Sequence, residues 1–424
     1  MDSPRGRIHF LKDLKEGKVA WDATSASHFD SCLGCFACVT ACPSGVRYDE
    51  LLEEVRPILN DKSYRTPADE FFRRFLLTLL PYPNRLRQFL RPLRLYPGSK
   101  LRRLLKRMGL FNLLGENLSA MESLLPNHPL RHLNTDLAGL YQHQGKFRGR
   151  VGLVLGCVQQ VFGQQVNIAA INVLTANGYT VVVPASQGCC GAVTHHQGEI
   201  KETEEFARRM SKLFEVKSLS TEFNICEPLD SILVVASGCG HTMKNYSDIL
   251  RGSSNVETVE PLFSGAQVLD IHEFLHKEGP SKEFIEALRP LEHTMSGSDH
   301  MRIVYHDACH MIHGQGIKEA PRELLRLIPK VEITEGLDSG VCCGSAGIYN
   351  LTHPEEGQSL GIYKAKSLLW SNPSMIASAN IGCTLQIGLY TESENIPIKH
   401  PVEILNDSYC GLKTIVKLDR IFYD

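Results

Sequence analysis

No uninterrupted apolar stretch of this chain comes near the roughly 18 residues that a membrane span needs, and residues 1–20 lack the apolar segment of a secretory signal. Excess charge is missing too. A formal net charge of -2, with 43% hydrophobic and 8% aromatic residues, excludes a disordered chain and a general polyanion binder, so no nucleic-acid partner is expected. No glycine-rich nucleotide or flavin fingerprint is present. These absences predict a cytoplasmic chain whose 424 residues suffice for two or three domains with sizeable cores. In that reducing compartment structural disulfides are disfavoured, and abundant cysteine is read first as metal ligation.

Cysteine is abundant. Twelve of the fourteen fall into three quartets, and the remaining two, Cys226 and Cys410, read as small buried apolar residues. Cys32, Cys35, Cys38 and Cys42, the last followed by Pro43, are separated by two, two and three residues, the bacterial-ferredoxin run for a 4Fe-4S cluster. The other quartets each consist of a lone cysteine, a Cys-Cys-Gly 32 or 33 positions on, and another lone cysteine. Cys157, Cys189, Cys190 and Cys239 form one; Cys309, Cys342, Cys343 and Cys383 form the other. Four soft thiolates suit an iron-sulfur cluster or a tetrahedral zinc. Adjacent cysteines cannot both turn to one small ion without strain, whereas they can reach two irons of a larger cluster. Gly191 and Gly344 are expected to let the backbone pass close to inorganic sulfide without a Cβ in the way. Cluster ligation is the reading taken for all twelve, with thiol or disulfide catalysis and structural zinc as its rivals; no catalytic residue is assigned.

Residues 1–62 read as a ferredoxin-like module too small to hold a core without its metal. Residues 63–149 read as a basic helical connector. Nine Lys or Arg residues and no acid lie between Asn84 and Arg107, and Pro81, Pro83, Pro92 and Pro97 are expected to break the segment into short helices. Its basic residues either cover solvated helix faces or make a leucine-lined surface for anionic lipid headgroups or an acidic subunit. Beyond residue 150 the pattern alternates. Strands are predicted over 151–156, 179–183 and 231–236, and helices over 165–177 and 199–214. The same order returns as strands over 302–305, 331–334 and 375–379, with helices over 321–328 and 354–370. Matching cysteines are offset by 152, 153 and 144 positions, and Ile271-His272-Glu273 is echoed by His400-Pro401-Val402-Glu403. The pattern is an internal duplication, 150–293 and 301–424, joined by a linker at 294–300. Each cysteine is then expected at or just past the carboxyl end of a strand, where open α/β sheets build their sites. His195, His196, His241, His306, His310 and His313 fall within six residues of a candidate ligand. They read as proton carriers beside an acceptor or as supporting residues around the ligands.

Cys189-Cys190-Gly191 and Cys342-Cys343-Gly344 resemble the paired cysteine-rich CCG domains of heterodisulfide reductase catalytic subunits and of the iron-sulfur subunits of glycolate, lactate and anaerobic glycerol-3-phosphate dehydrogenases. Further strings are similar to the iron-sulfur subunit of glycolate oxidase, or glycolate dehydrogenase, across essentially the whole chain. They are Pro4-Arg5-Gly6-Arg7-Ile8, Cys42-Pro43-Ser44-Gly45-Val46-Arg47-Tyr48, Ser237-Gly238-Cys239-Gly240, Cys342-Cys343-Gly344-Ser345-Ala346-Gly347 and Thr352-His353-Pro354. The resemblance implies an α/β protein in which a small helical 4Fe-4S module precedes two duplicated α/β CCG domains. It implies an oxidoreductase subunit that passes electrons from an FAD-containing partner, where glycolate becomes glyoxylate, to a quinone-type acceptor at the inner face of the membrane. A lactate or glycerol-3-phosphate dehydrogenase subunit, or a heterodisulfide-reductase-like catalytic subunit, is the alternative.

The chain departs from the resemblance in two places. Heterodisulfide-type copies close with a Cys-x2-Cys pair and so have five ligands; here Ala236 and Asn380 replace the first cysteine of that pair, leaving cubane and non-cubane clusters both open. The family also carries another four-cysteine run upstream of Pro-Arg-Gly-Arg. In such two-cluster modules the fourth cysteine of each run ligates the other cluster. Cys42 is therefore expected to serve a cluster other than that of Cys32, Cys35 and Cys38, and Met1 is expected not to be the natural start.

Overall fold

The computed structural model describes residues 1–61, 64–109, 111, 115–127, 130, 136–251, 261–291, 300–410 and 420–421. The linker expected at 294–300 lies outside them except for His300, as does the side chain of Cys410. Ten strands occur among the described residues: β1 (Gly139–Tyr141), β2 (Gly149–Val154), β3 (Tyr179–Val183), β4 (Ser231–Val234), β5 (Gln267–Asp270), β6 (Met301–His306), β7 (Val331–Glu335), β8 (Met375–Ser378), β9 (Ile398–Lys399) and β10 (Arg420–Ile421). They build two sheets, ordered β10-β1-β3-β2-β4-β5 and β7-β6-β8-β9. Strands β3, β2, β4 and β5 run parallel, as does the whole second sheet, while β1 is antiparallel to both of its neighbours. Parallel strands need helical crossovers that cover both faces. That is why Val181-Val182-Val183 and Ile232-Leu233-Val234 are continuous apolar runs and are buried throughout.

The α/β architecture and the duplication agree with the sequence reading. Strand β3 has the expected limits, and the other predicted strands and helices shift by one or two residues at their ends. Strands β1, β5, β9 and β10 were not expected. Two to four residues long, they take their pairing from an already formed neighbour rather than from any periodicity of their own. Strand β1 falls inside the segment read as connector and hydrogen-bonds to β3.

The two copies share one core. Ile171 and Val173 of helix Gln164–Ala176 belong to the same buried cluster as Val402 and Leu405 of helix Pro401–Cys410. Across this seam the Asn172 amide donates to Asn406 Oδ1 at 3.1 Å. The His400-Pro401-Val402-Glu403 echo is a helix start. Glu403 accepts from the His400 backbone N–H at 2.8 Å, as Glu273 accepts from that of Asp270 at 3.1 Å.

In the connector, Pro67 and Pro83 occupy first positions of helices Pro67–Leu79 and Pro83–Leu90, where a missing N–H is harmless, so Pro83 starts a helix rather than breaking one. The basic surface is also less uniform than its sequence. Arg102 is buried, pairs with Glu122 at 2.6 Å and donates to the carbonyls of Glu122, Leu125 and Pro126. It is a clamp between helices Lys100–Arg107 and Glu116–Ser123. Arg91, Arg94, Lys100, Arg103 and Arg107 stay exposed, among Leu95, Leu101, Leu104 and Met108, which are 55–69% exposed. Among the described residues no helix is long and apolar enough to cross a membrane. Residues 1–61 enclose a small core of Phe10, Phe29, Tyr48, Leu52, Val55 and Leu59, with Trp21 packed edge-on against Phe10 and Phe29.

The seam is predicted to be acid-sensitive. Burial, reinforced by His272 stacked 5.1 Å away, pushes His400 down to about 3, although Asp270 faces it and opposes the shift. A histidine depressed in the fold contributes stability that is complete above its unfolded value near 6.5 and declines as pH falls towards the folded one. Roughly 2 kcal/mol should be lost by pH 5. His400→Gln retains a donor for the Val235 carbonyl, which His400 Nε2 reaches at 2.8 Å, and removes the titration. Buried Glu403, raised to about 7, gains stability on acidification in both proteins, so their difference reports His400. Urea unfolding at pH 7 and pH 5 should show the larger acid loss in the parent; equal losses would refute the prediction.

Candidate functional site

Each spaced quartet gathers at one end of its sheet. Cys157 follows β2, Cys189-Cys190 follows β3, and Cys239 lies in helix Ser237–Lys244 after β4. In the second copy Cys309 opens helix Cys309–Ile312 after β6, Cys342-Cys343 follows β7, and Cys383 lies in helix Ile381–Thr391 after β8. In each copy the four thiols run in a chain with the adjacent pair at its middle. Cys157 Sγ is 3.5 Å from Cys189 Sγ, while Cys190 interacts with Cys239. Likewise Cys309 interacts with Cys342, and Cys343 with Cys383. Contact with the neighbouring thiol and burial hold Cys157 and Cys309 far above the ordinary thiol range. Four would-be anions crowded out of water are unfavourable until cationic metal offsets their repulsion. With soft sulfur donors and no carboxylate among them, both quartets fit iron-sulfur ligation.

The CCG glycines act differently from expectation. Gly191 and Gly344 have φ of +84° and +86°, which disfavours any side chain. A Cβ on Gly344 would also stand 2.9 Å from the Gly357 carbonyl oxygen, and one on Gly191 3.2 Å from that of Thr203. Left-handed backbone and the approach of the following helix therefore account for both glycines. Their N–H groups point to sulfur, Gly191 to Cys189 at 3.2 Å and Gly344 to Cys342 at 3.4 Å.

In the tight run the structure brings together Cys32, Cys35 and Cys38. Burial, then the nearby Cys309 and Cys32, push Cys35 up to about 11, so the ferredoxin-type loop lies against the second CCG quartet. Cys42 turns to backbone. The N–H groups of Val46, Ser44 and Gly45 lower its value, Val46 N lying 3.4 Å from the sulfur. Arg56 donates to the Cys32 carbonyl at 3.1 Å, and Gly34, at φ +58°, leaves space that a Cβ would take from Arg56 and His196.

The histidines that sequence reading grouped by proximity have a shared role invisible in it. His196 Nε2 donates to the Leu33 carbonyl at 2.9 Å and His310 Nε2 to that of Gly34 at 3.0 Å; Phe36 stacks on His310 with centroids 5.1 Å apart. His313 bonds Thr40 at 2.7 Å and His195 meets Glu53 at 3.1 Å. Two of these histidines come from each copy, so both copies grip the same ferredoxin-type module. His241 bridges the copies by donating to the Gly314 carbonyl at 3.1 Å. His306 makes none of these contacts; both of its ring nitrogens lack a hydrogen-bond partner. Cys226 is exposed, against the expectation that it is buried, and lies 3.7 Å from Ser220 Oγ.

Both CCG quartets border one cavity of 510 Å³. Cys157, Cys239, Cys309 and Cys383 line it, Leu33 of the ferredoxin-type loop closes one side, and the opposite wall is apolar, with Leu76, Leu86, Phe89, Leu90, Met121 and Leu125 from the connector. Ala236 and Asn380 also face it.

The linker region of glycolate oxidase iron-sulfur subunits matches residues 68–125, and the cysteine-rich CCG domain matches 151–244 and again 303–388. The glycolate oxidase iron-sulfur subunit of Escherichia coli (strain K12) is 31% identical over 409 residues, covering 96% of this chain and 88% of that one. The protein named probable glycolate oxidase iron-sulfur subunit in Bacillus subtilis (strain 168) is 29% identical over 408 residues, 93% of this chain and 84% of that one. Lactate utilization protein A of Oceanobacillus iheyensis is 25% identical over 260 residues, 61% of this chain and 96% of that one. Two cysteine-rich copies, a linker matched over the helices that wall the cavity, and likeness along nearly the whole chain agree: the chain belongs to the family of glycolate oxidase iron-sulfur subunits.

Proposed function

We propose that this chain is the electron-transfer subunit of a glycolate-oxidising complex, with an FAD-containing partner as donor and a membrane quinone as acceptor. The observation that carries the reading is an apolar cavity bordered by both CCG quartets and, through Leu33, by the ferredoxin-type loop. Bound at these cysteines, 4Fe-4S clusters supply one-electron relays between a two-electron donor and a two-electron acceptor. Oxidation of glycolate to glyoxylate releases two electrons and two protons, which is what reduction of a quinone to its quinol consumes.

The chain's own residues set the conditions. Cys32, Cys35 and Cys38 and the two quartets hold the metal, while His196 and His310 fix the loop against it. Leucine and phenylalanine on the connector exclude water and match a lipophilic acceptor rather than a charged one. The exposed basic residues among Leu95, Leu101, Leu104 and Met108 give this side of the molecule the character of an interfacial membrane surface. The complex purified with its partner should reduce a quinone analogue with glycolate and not with D-lactate, L-lactate or glycerol 3-phosphate. Lactate as the preferred substrate would transfer the assignment to the lactate branch.

Cys190→Ser and Cys343→Ser should each lower iron and visible absorbance while far-UV circular dichroism is retained, because the large core that the two copies share contains none of the ligand cysteines. Unchanged iron in both variants would remove the cluster assignment. Reversing Arg91, Arg94, Arg103 and Arg107 to Glu should move the complex from the membrane to the soluble fraction, since each basic residue near an anionic surface is worth about 1 kcal/mol. Loss of the flavoprotein with membrane association intact would make the same patch a subunit interface.

A further inference from the structure

The two CCG sites are not chemically equivalent, and the difference is one side chain. Strand β6 ends on His306, and the corresponding last residue of β2 is Val154, at the offset of 152 that relates Cys309 to Cys157. Both residues are 1% exposed. Valine is at home there, but an imidazole is not, since neither His306 nitrogen finds a hydrogen-bond partner. Buried polar groups are retained without partners mainly where another ligand satisfies them. A ring nitrogen of His306, Cys343 Sγ and Cys383 Sγ all lie within 4.8 Å of one another. Donors that share one first-row metal at about 2.0–2.3 Å stand about 3.3–3.8 Å apart, so these three are gathered within reach of one metal.

The neighbouring candidate for a further donor is already committed. Asn380 occupies the position where heterodisulfide-type copies carry a fifth cysteine. Its Oδ1 accepts from the backbone N–H groups of Gly382 and Cys383 at 2.9 and 3.3 Å, and its Nδ2 donates to Ser237 Oγ at 2.9 Å. That amide caps helix Ile381–Thr391 and ties the two copies together. In the first copy the same position is Ala236, which offers no donor.

We propose that His306 is a nitrogen ligand of the iron-sulfur site formed by Cys309, Cys342, Cys343 and Cys383, an inference that rests on reading the quartets as cluster sites. The second copy then presents five donors and the first only four. A neutral imidazole where heterodisulfide-type copies carry a fifth anionic thiolate favours the reduced state relative to such a five-thiolate site, as in histidine-ligated iron-sulfur centres. The second site thereby differs from the first in donor number, through a residue outside the CCG motif.

Pulsed EPR on the anaerobically purified complex, natural and with 15N-labelled histidine, tests this without reference to turnover. The expected result is strong hyperfine coupling to a histidine nitrogen that changes isotope pattern on labelling and disappears in His306→Val, the residue of the first copy. His306→Cys guards against a variant that loses its cluster. It should keep its iron, lose the nitrogen coupling and show a lowered midpoint potential at one cluster. A CCG cluster with no histidine coupling in the parent, or coupling that persists in both variants, overturns the proposal. Full iron retention in Cys343→Ser is a different failure, because it removes the cluster reading and this inference with it.

Discussion

Four histidine contacts to the ferredoxin-type module hold the architecture of the site together. His195 and His196 from the first copy, and His310 and His313 from the second, bind Glu53, Leu33, Gly34 and Thr40. Each hydrogen bond contributes about 1 kcal/mol, and at His196 and His310, the two buried rings, an unpaired ring or carbonyl would cost more than the bond gains. The loop carrying Cys35 can therefore settle only when both copies are present and correctly seated. Burial depresses His196 and His310 below the ordinary histidine range, so the rings are uncharged and do not repel the Arg56 guanidinium that holds Cys32 from the other side.

This clasp needs two copies at a fixed spacing, and the shared core provides it. The helices at the seam pack apolar faces together, while the site ends of the two sheets meet through Asn380 and Ser237 and through His241 and Gly314. The connector then closes the cavity by presenting leucines inward and arginines outward. Arg102 is an exception that makes this possible. Buried against Glu122, it fixes two helices whose remaining basic residues stay outside.

Most of the scaffold was legible because its signals are local. Buried parallel strands leave continuous runs such as Tyr179–Val183, and cysteine intervals survive duplication. What could not be read depends on tertiary neighbours. The CCG glycines were assigned to the metal, whereas Gly344 answers to left-handed backbone and to the Gly357 carbonyl. The six histidines near cysteines look alike in sequence. Their partners, up to 276 positions away, separate five docking and bridging residues from His306. Arg102 could not be told from its eight basic neighbours, since nothing marks Glu122 as its partner until two helices are packed. Cys226 read as a core residue only because no motif claimed it.

Strand β10, from the last residues of the second copy, hydrogen-bonds to β1 at the edge of the first copy's sheet. The tail of one half thus extends the other's sheet, whereas the second sheet is built from its own strands alone. A gene split between the repeats would therefore leave β1 without its outer neighbour while the second sheet kept all of its own.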